Sequence, residues 1–377
     1  MATTRLPQPQ APADPYGYLM VHFIEDPNSY AERIYLDISE GDDPERWHPL
    51  NGGNPILTSP LGTTGVRDPY LTRNPETGRV YIIATDLRVF DGSGRGSAPG
   101  SPWYGFSHHG STNLIIWYSD DLVHWSEPHA LDVSRRTDGT HAQLGMAWAP
   151  EALWVADYYP EGSEAEHGGS RGAFVLYWSS KLFADDDPEH KDDAVYDRVL
   201  WGATSDFTDA TYEYGGIFID KHRPTIDTTM LQRALPDGTI RTYRATKANG
   251  ESTVEPAEVK RGIWLDATDA PRWWEPGTEW RIVQEEIGTE WIPNRDPAGV
   301  EGPALFASHS DDRAYLYVDV IPSIGYRPMV TTDPDRGFDY LRSDDFSMRP
   351  HTKHGGVFSL SRAEYDRLRA ADGTLGQ

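Results

Sequence analysis

The sequence predicts an all-β protein: a five-bladed β-propeller closed by pairing of its N- and C-terminal strands. Three observations carry that expectation. Short runs rich in aromatic and β-branched residues, bounded by turn residues, recur along the chain as strands do. Four such runs are headed by a carboxylate, at Asp68, Glu151, Asp227 and Glu301, spaced 83, 76 and 74 positions apart. Strand-like runs at the two ends of the chain supply complementary parts of a fifth repeat. A β unit repeated at a sustained period points to a radial array of sheets. The period exceeds the roughly 40–50 residues of common blades, so long interstrand loops are required.

In chain order, residues 1–15 are polar and proline-rich and read as a disordered or extended segment; 16–377 read as one propeller with a short C-terminal helix. Runs at 18–23 and 33–38 are strands, and 47–50 with 55–57 give a third. They lack a carboxylate-headed inner strand, which the run at 354–360 supplies from the far end. Such closure removes an exposed sheet edge. The first full repeat starts at Gly65-Val66-Arg67-Asp68-Pro69-Tyr70-Leu71. It turns through Asn74-Pro75-Glu76-Thr77-Gly78 into a strand ending at Asp86. A Gly/Ser-rich stretch at 90–112 follows. Its glycines do not lead a strand into a helix, so it reads as a long surface loop over the carboxylate end, not a phosphate loop. The remaining repeats run from Trp148, Ile226 and Glu301 through turns into aromatic-rich strands. The acidic run at 183–189 lacks calcium-loop spacing and reads as a solvated loop. Ser361, three residues before Glu364, forms a capping box for a helix to Ala371.

The 377 residues carry 13 Trp, 20 Tyr and 11 Phe, enough for a substantial core, and a formal net charge of −25. Nucleic-acid binding needs clustered Lys and Arg, so a nucleic-acid partner is excluded. No run is long enough to span a membrane. The absence of cysteine removes thiol chemistry and leaves the redox compartment open. The N-terminus lacks a signal-peptide apolar core, so the sequence as it stands reads as cytoplasmic, or secreted if a signal has been removed.

Taken in register, Arg67-Asp68-Pro69, Trp148-Ala149-Pro150-Glu151, Ile226-Asp227-Thr228-Thr229, Glu301-Gly302-Pro303 and His354-Gly355 resemble glycoside hydrolase family 43. The resemblance covers nearly the whole chain. That family contains α-L-arabinofuranosidases, β-xylosidases, arabinanases and galactofuranose- or galactan-active enzymes. The resemblance implies a five-bladed propeller and an inverting mechanism, with Asp68 as base, Glu301 as acid and Asp227 orienting and tuning the acid. It places His354 on the propeller axis beneath the sugar, in contact through water with a structural calcium ion or a chloride if one lies there. No cofactor is required for the chemistry. Two features depart from the commoner members: strand-like sequence of about fifty residues precedes Asp68, and no appended β-sandwich domain is present.

Inverting glycoside hydrolysis needs one carboxylic acid to protonate the leaving oxygen and one carboxylate, on the opposite face, to activate water. A closed propeller brings carboxylates of different blades to one axis, and Asp68, Asp227 and Glu301 supply three. Binding candidates are Asp86, Glu151, Trp117, Trp148, Lys181, Lys247 and Arg327. Glu151 binds sugar hydroxyls or braces its blade. Trp148, Trp117 and Trp103 stack on sugar faces or fill the core. Lys181, Lys247 and Arg327 bond hydroxyls or are solvated. Each acid also has a bland reading, as turn former, strand-end cap or loop acid.

The function expected is exo-acting inverting hydrolysis releasing a terminal pentose or furanose from an oligo- or polysaccharide, α-L-arabinofuranoside first, then β-D-xyloside and β-D-galactofuranoside. Exo action is read from the long loops. Two rivals stand. One is a retaining, invertase-like hydrolase, since Glu25-Asp26-Pro27-Asn28 resembles its nucleophile motif. The other is a catalytically silent sugar-binding propeller.

Overall fold

The computed structural model describes residues 11–24, 32–89, 102–250, 262–292, 299–321 and 324–376. In chain order, β1 (Pro15–Ile24), β2 (Tyr35–Glu40) and β3 (Asp43–Pro49) come first. The second sheet holds β4 (Val66–Arg73), β5 (Val80–Asp86), β6 (Asn113–Ser119) and β7 (His129–Asp132). The third holds β8 (Trp148–Val155), β9 (Ala173–Lys181), β10 (Asp197–Thr204) and β11 (Glu213–Ile219). The fourth holds β12 (Thr225–Ala234), β13 (Ile240–Ala248), β14 (Ile263–Thr268) and β15 (Arg281–Ile287). The fifth holds β16 (Val300–Ala307), β17 (Ala314–Val320), β18 (Gly325–Thr331) and β19 (Asp339–Tyr340). Finally β20 (Thr352–Ser361) returns to the first three strands.

Every sheet has four antiparallel strands, and the closing one runs β20-β1-β2-β3. Tyr18 pairs with Ser359, Leu19 with Phe358 and Met20 with Val357 across the junction of the two chain ends. The innermost strands are β4, β8, β12, β16 and β20, and each touches the next around the ring, β20 meeting β4. The arrangement is the five-bladed propeller that the repeats predict.

The middle strands are apolar on both faces because each blade is covered by two neighbours. Ile82, Ile115 and Trp117 pack with Leu19, Val21, Leu36 and Ile38 of the closing sheet. Their neighbours Tyr81, Ile83, Leu114 and Ile116 face the other way, onto Trp154, Phe174, Leu176 and Trp178. Two-sided burial replaces strict alternation with continuous apolar runs.

The turn after β4 follows its sequence: the Asn74 side chain accepts from the amides of Glu76 and Thr77. The C-terminal helix α2 (Arg362–Ala371) starts at the expected capping box, Ser361 with Glu364. It buries Leu368 against the closing blade. Two expectations change. Residues 55–57 make only a bridge, Leu57 to Ile34. The stretch expected as loop contains a helix, α1 (Pro102–His108), whose Trp103 packs edge-on against Trp148 at 6.2 Å. Residues 90–101 of that stretch, and the Glu25-Asp26-Pro27-Asn28 motif, lie outside the described residues.

Candidate active site

The inner strands share one irregularity, and it builds the site. In β4, Arg67 pairs with Thr85 and Tyr70 with Ile83, so Asp68 and Pro69 together face Ala84 alone. The same bulge puts Ala149 and Pro150 opposite Trp178, adds Asp227 in β12, and puts Gly302 and Pro303 opposite Val318. In β20 the register skips His354. The bulge residues Asp68, Ala149, Asp227 and Gly302 all have left-handed backbone, with φ between 49° and 54°. Three are not glycine, and such residues persist where surrounding structure over-determines them, commonly at functional sites. Proline follows three of the four because a bulge needs no ladder N–H there. Glycine at 302 answers a second demand: a Cβ would stand 2.6 Å from the Cβ of His354.

A bulge re-aims its side chain. Here Asp68, Asp227 and His354 line a pocket of about 310 Å³, and the residues one step before the four left-handed bulge residues, Arg67, Trp148, Ile226 and Glu301, line it too. Phe23, Leu87, Trp103, Asn249 and Ile321 complete the lining. The three carboxylates singled out from sequence thus meet in one cavity.

Each carboxylate is held differently. Thr85 Oγ1 donates to Asp68 Oδ2 at 2.9 Å and accepts from the Ala149 amide at 2.8 Å, tying the first two bulges together. Asp227 Oδ2 accepts from the Gly302 amide at 3.1 Å, and the Asp227 amide donates to Ser179 Oγ. Burial, opposed by His354 and reinforced by the charges of Glu301 and Asp68, pushes the Asp227 carboxyl up to about 6. His354 Nδ1 lies 3.6 Å from Asp68 Oδ1 and 3.8 Å from Asp227 Oδ2. Lys353 Nζ lies 3.6 Å from Glu301 Oε1. Two consecutive residues of β20 therefore face all three acids. The side-chain exposures rank the acids: 9% for Asp227, 16% for Asp68 and 31% for Glu301. Arg67 is fixed behind Asp68 by buried Glu32 at 3.5 Å, with its guanidinium 4.6 Å from the Phe23 ring centre.

The other candidates fall elsewhere. Asp86 is buried and accepts from the Thr63 amide and hydroxyl, both at 2.8 Å, so it braces a loop. Trp117 is core between two blades. Glu151 lies two residues past its bulge, not at the strand head; it is 2% exposed and accepts from Tyr177 at 3.0 Å. Burial pushes its carboxyl well above the ordinary range. Lys181 stands one step behind the wall: it pairs with Asp197 at 3.3 Å, and Asp197 accepts from Asn249, which lines the pocket. Lys247 is buried on β13 opposite Ile226, outside the lining. Arg327, on the third strand of its blade, donates to the Tyr326 carbonyl and lies near Phe346. Trp148 and Trp103 do line the pocket. Phe23, Asn249 and Ile321 escaped sequence reading because no motif marks them.

A calcium ion takes six to eight oxygen ligands. His354 offers nitrogen, and among the described residues no group of three or more His, Asp or Glu side chains is arranged to hold a metal. The described residues thus form no protein cage for calcium, and an ion touched by His354 through water would need no such cage.

Comparison with known proteins follows the geometry. A family model described as a probable glycosyl hydrolase domain matches residues 14–366. An alpha-L-arabinofuranosidase of Bifidobacterium longum subsp. longum is 26% identical over 336 residues, 84% of this chain and 28% of that protein. The chain thus spans little more than a quarter of that curated relative. Among solved structures, a thermostable family-43 glycoside hydrolase aligns at TM-score 0.48 and 16% identity, over 78% of each chain. The catalytic domain of the Coprinopsis cinerea GH62 alpha-L-arabinofuranosidase aligns at TM-score 0.45 and 11% identity, over 78% of this chain and 75% of that one. The matched stretch of the family model takes in all twenty strands of the described residues, and the chain belongs to the glycosyl hydrolase family related to glycoside hydrolase family 43.

Proposed function

We propose that the protein is an exo-acting, inverting glycosidase that releases a terminal pentose or furanose, with α-L-arabinofuranoside as its first substrate. The observation that carries this reading is the convergence of Asp68, Asp227 and Glu301 in one pocket of about 310 Å³. That volume is at the low end of the roughly 300–1,000 Å³ of ligand sites and suits a single sugar ring better than a polymer interior. Similarity to an arabinofuranosidase supports the choice of sugar.

The roles follow from placement. Asp68 and Glu301 stand on β4 and β16, which are separated in the ring by β20, and both line the pocket. Glu301, the most exposed acid, faces the side by which a leaving group departs and donates the proton. Asp68, braced by Thr85, takes the proton from water. Asp227, the most buried, holds the Gly302 amide beside Glu301 and so fixes the acid's backbone. Trp103 and Trp148 offer apolar faces to the sugar.

A panel of p-nitrophenyl glycosides tests the sugar. Release from the α-L-arabinofuranoside well above the β-D-xyloside and β-D-galactofuranoside is expected, and proton NMR of the first product should show inverted anomeric configuration. Retention would overturn the mechanism. Cleavage of long linear polymers without monosaccharide release would overturn exo action. Binding of furanosides and xylosides without turnover would make the pocket a sugar-binding site.

A further inference from the structure

The position just before each bulge is filled around the ring by Arg67, Trp148, Ile226, Glu301 and, on β20, Lys353. Because β20 follows β16 in the ring, Lys353 is the neighbour of Glu301. Its side chain is 2% exposed, which leaves an ammonium little water. Asp319 takes the place of that water: it is wholly buried, its Oδ2 is 2.7 Å from Lys353 Nζ, and it pairs across β17 with Glu301 itself. A buried carboxylate needs a counter-charge, and the ammonium that supplies it gives up the freedom of a flexible four-carbon stem. The same ammonium stands 3.6 Å from Glu301 Oε1.

We propose that Lys353, pinned by Asp319, is a positioning residue for Glu301. It holds the Glu301 carboxyl toward the pocket and stabilises the carboxylate that forms as the proton passes to the departing oxygen. The inference rests on Glu301 being the acid. A fixed cation aimed at developing negative charge costs no reorganisation during reaction. The charged groups around Glu301 are Asp227 on β12, Asp319 on β17 and Lys353 on β20, with Asp68 and His354 lining the same pocket. Of these, Lys353 is the cation within 4 Å of the Glu301 carboxyl.

The test compares Lys353→Met, Lys353→Arg and the double variant Lys353→Met with Asp319→Asn, which leaves no buried charge unpaired if the single change unfolds the chain. Substrates are an arabinofuranosyl oligosaccharide and 2,4-dinitrophenyl α-L-arabinofuranoside. For Lys353→Met and the double variant, kcat on the oligosaccharide should fall about 10- to 100-fold, less than the roughly 10²- to 10³-fold lost with a donor in direct contact. Turnover of the activated aryl glycoside should stay within a few-fold. The basic limb of kcat/KM against pH should move to higher pH, because an acid without its neighbouring cation keeps its proton longer. Lys353→Arg should restore the limb. Equal losses on both substrates, or an unmoved limb, would make the Lys353–Asp319 pair structural only. Glu301→Gln is measured alongside. If it spares the oligosaccharide, the acid assignment fails and this inference with it. If it behaves as the loss of an acid while the Lys353 variants leave the limb in place, this inference alone fails.

Discussion

The five inner strands differ sharply between their two ends. At one end each is bulged, four bulge residues are left-handed, and the side chains delivered to the axis include three carboxylates, a histidine and a lysine. At the other end the ladders of β4, β8, β12 and β16 are regular, and Leu71, Leu153, Leu231, Leu305, Phe306 and Phe358 line a second cavity of about 60 Å³. The same strands thus do two jobs. Unbroken ladders and apolar side chains stabilise the ring. Local departures from the ladder aim polar groups that a regular strand would leave in the sheet.

If that division is right, changes at the two ends should separate activity from stability. The largest effect is expected at the bulged end. Asp68→Asn removes the proposed base but keeps the shape, so kcat should fall by roughly 10²- to 10⁴-fold on every substrate, with Tm nearly unchanged. Activity within a few-fold of the parent would take Asp68 out of the mechanism.

At the regular end, Leu71→Ala removes a buried side chain from the packing between blades. It should cost about 2–5 kcal/mol of stability, read by denaturant unfolding, with kcat close to the parent's well below the transition. A large loss of kcat in a folded variant would show that the two ends are not separable.

Asp227 sharpens the comparison because it belongs to both accounts. Its carboxyl has an ordinary value of 3.8 in the unfolded chain and about 6 in the fold, chiefly through burial. A raised folded value means that ionisation favours unfolding. The contribution is fully present below about pH 4 and is lost as pH rises through about 6, a cost on the order of 3 kcal/mol at neutral pH. Asp227→Asn should therefore be more stable than the parent at pH 7, the difference in Tm opening between pH 4 and 7, while turnover collapses. A difference that does not widen over that window would contradict the burial account.

The smallest effect is expected at Glu151. Burial pushes its carboxyl well above the ordinary range, so the fold opposes its ionisation, and Glu151→Gln keeps nearly the same shape. Activity should stay within a few-fold and Tm within a few degrees. A loss above tenfold would return Glu151 to the site.

Sequence periodicity made the propeller legible, because each blade repeats an apolar strand, a turn and an aromatic strand. The closing blade was legible too, since the strands of each terminus lacked what the other supplied. The acids Asp68, Asp227 and Glu301 stood out by motif. The finer register did not. Counting acidic residues aligns Glu151 with Asp68, but the structural equivalent of Asp68 is Ala149, marked by backbone conformation and not by side-chain type. Trp117 and Asp86 were misplaced for a related reason: with both faces of β5 and β6 buried, alternation cannot say which face a side chain takes. Asn249 and Phe23 reach the pocket by tertiary packing alone, and Lys353 was passed over beside the more conspicuous His354.

The central claim is that Asp68 and Glu301 have different chemical duties at the bulged end, and leaving-group dependence tests it most directly. A general acid matters in proportion to how poor the leaving group is. Glu301→Gln should cripple hydrolysis of arabinofuranosyl oligosaccharides while sparing 2,4-dinitrophenyl α-L-arabinofuranoside, a gap of roughly 10²- to 10⁴-fold. Asp68→Asn should damage both alike, since water must be activated in either case. The basic limb of kcat/KM should vanish in Glu301→Gln. Equal losses on both substrates in Glu301→Gln, with the basic limb intact, would contradict the assignment.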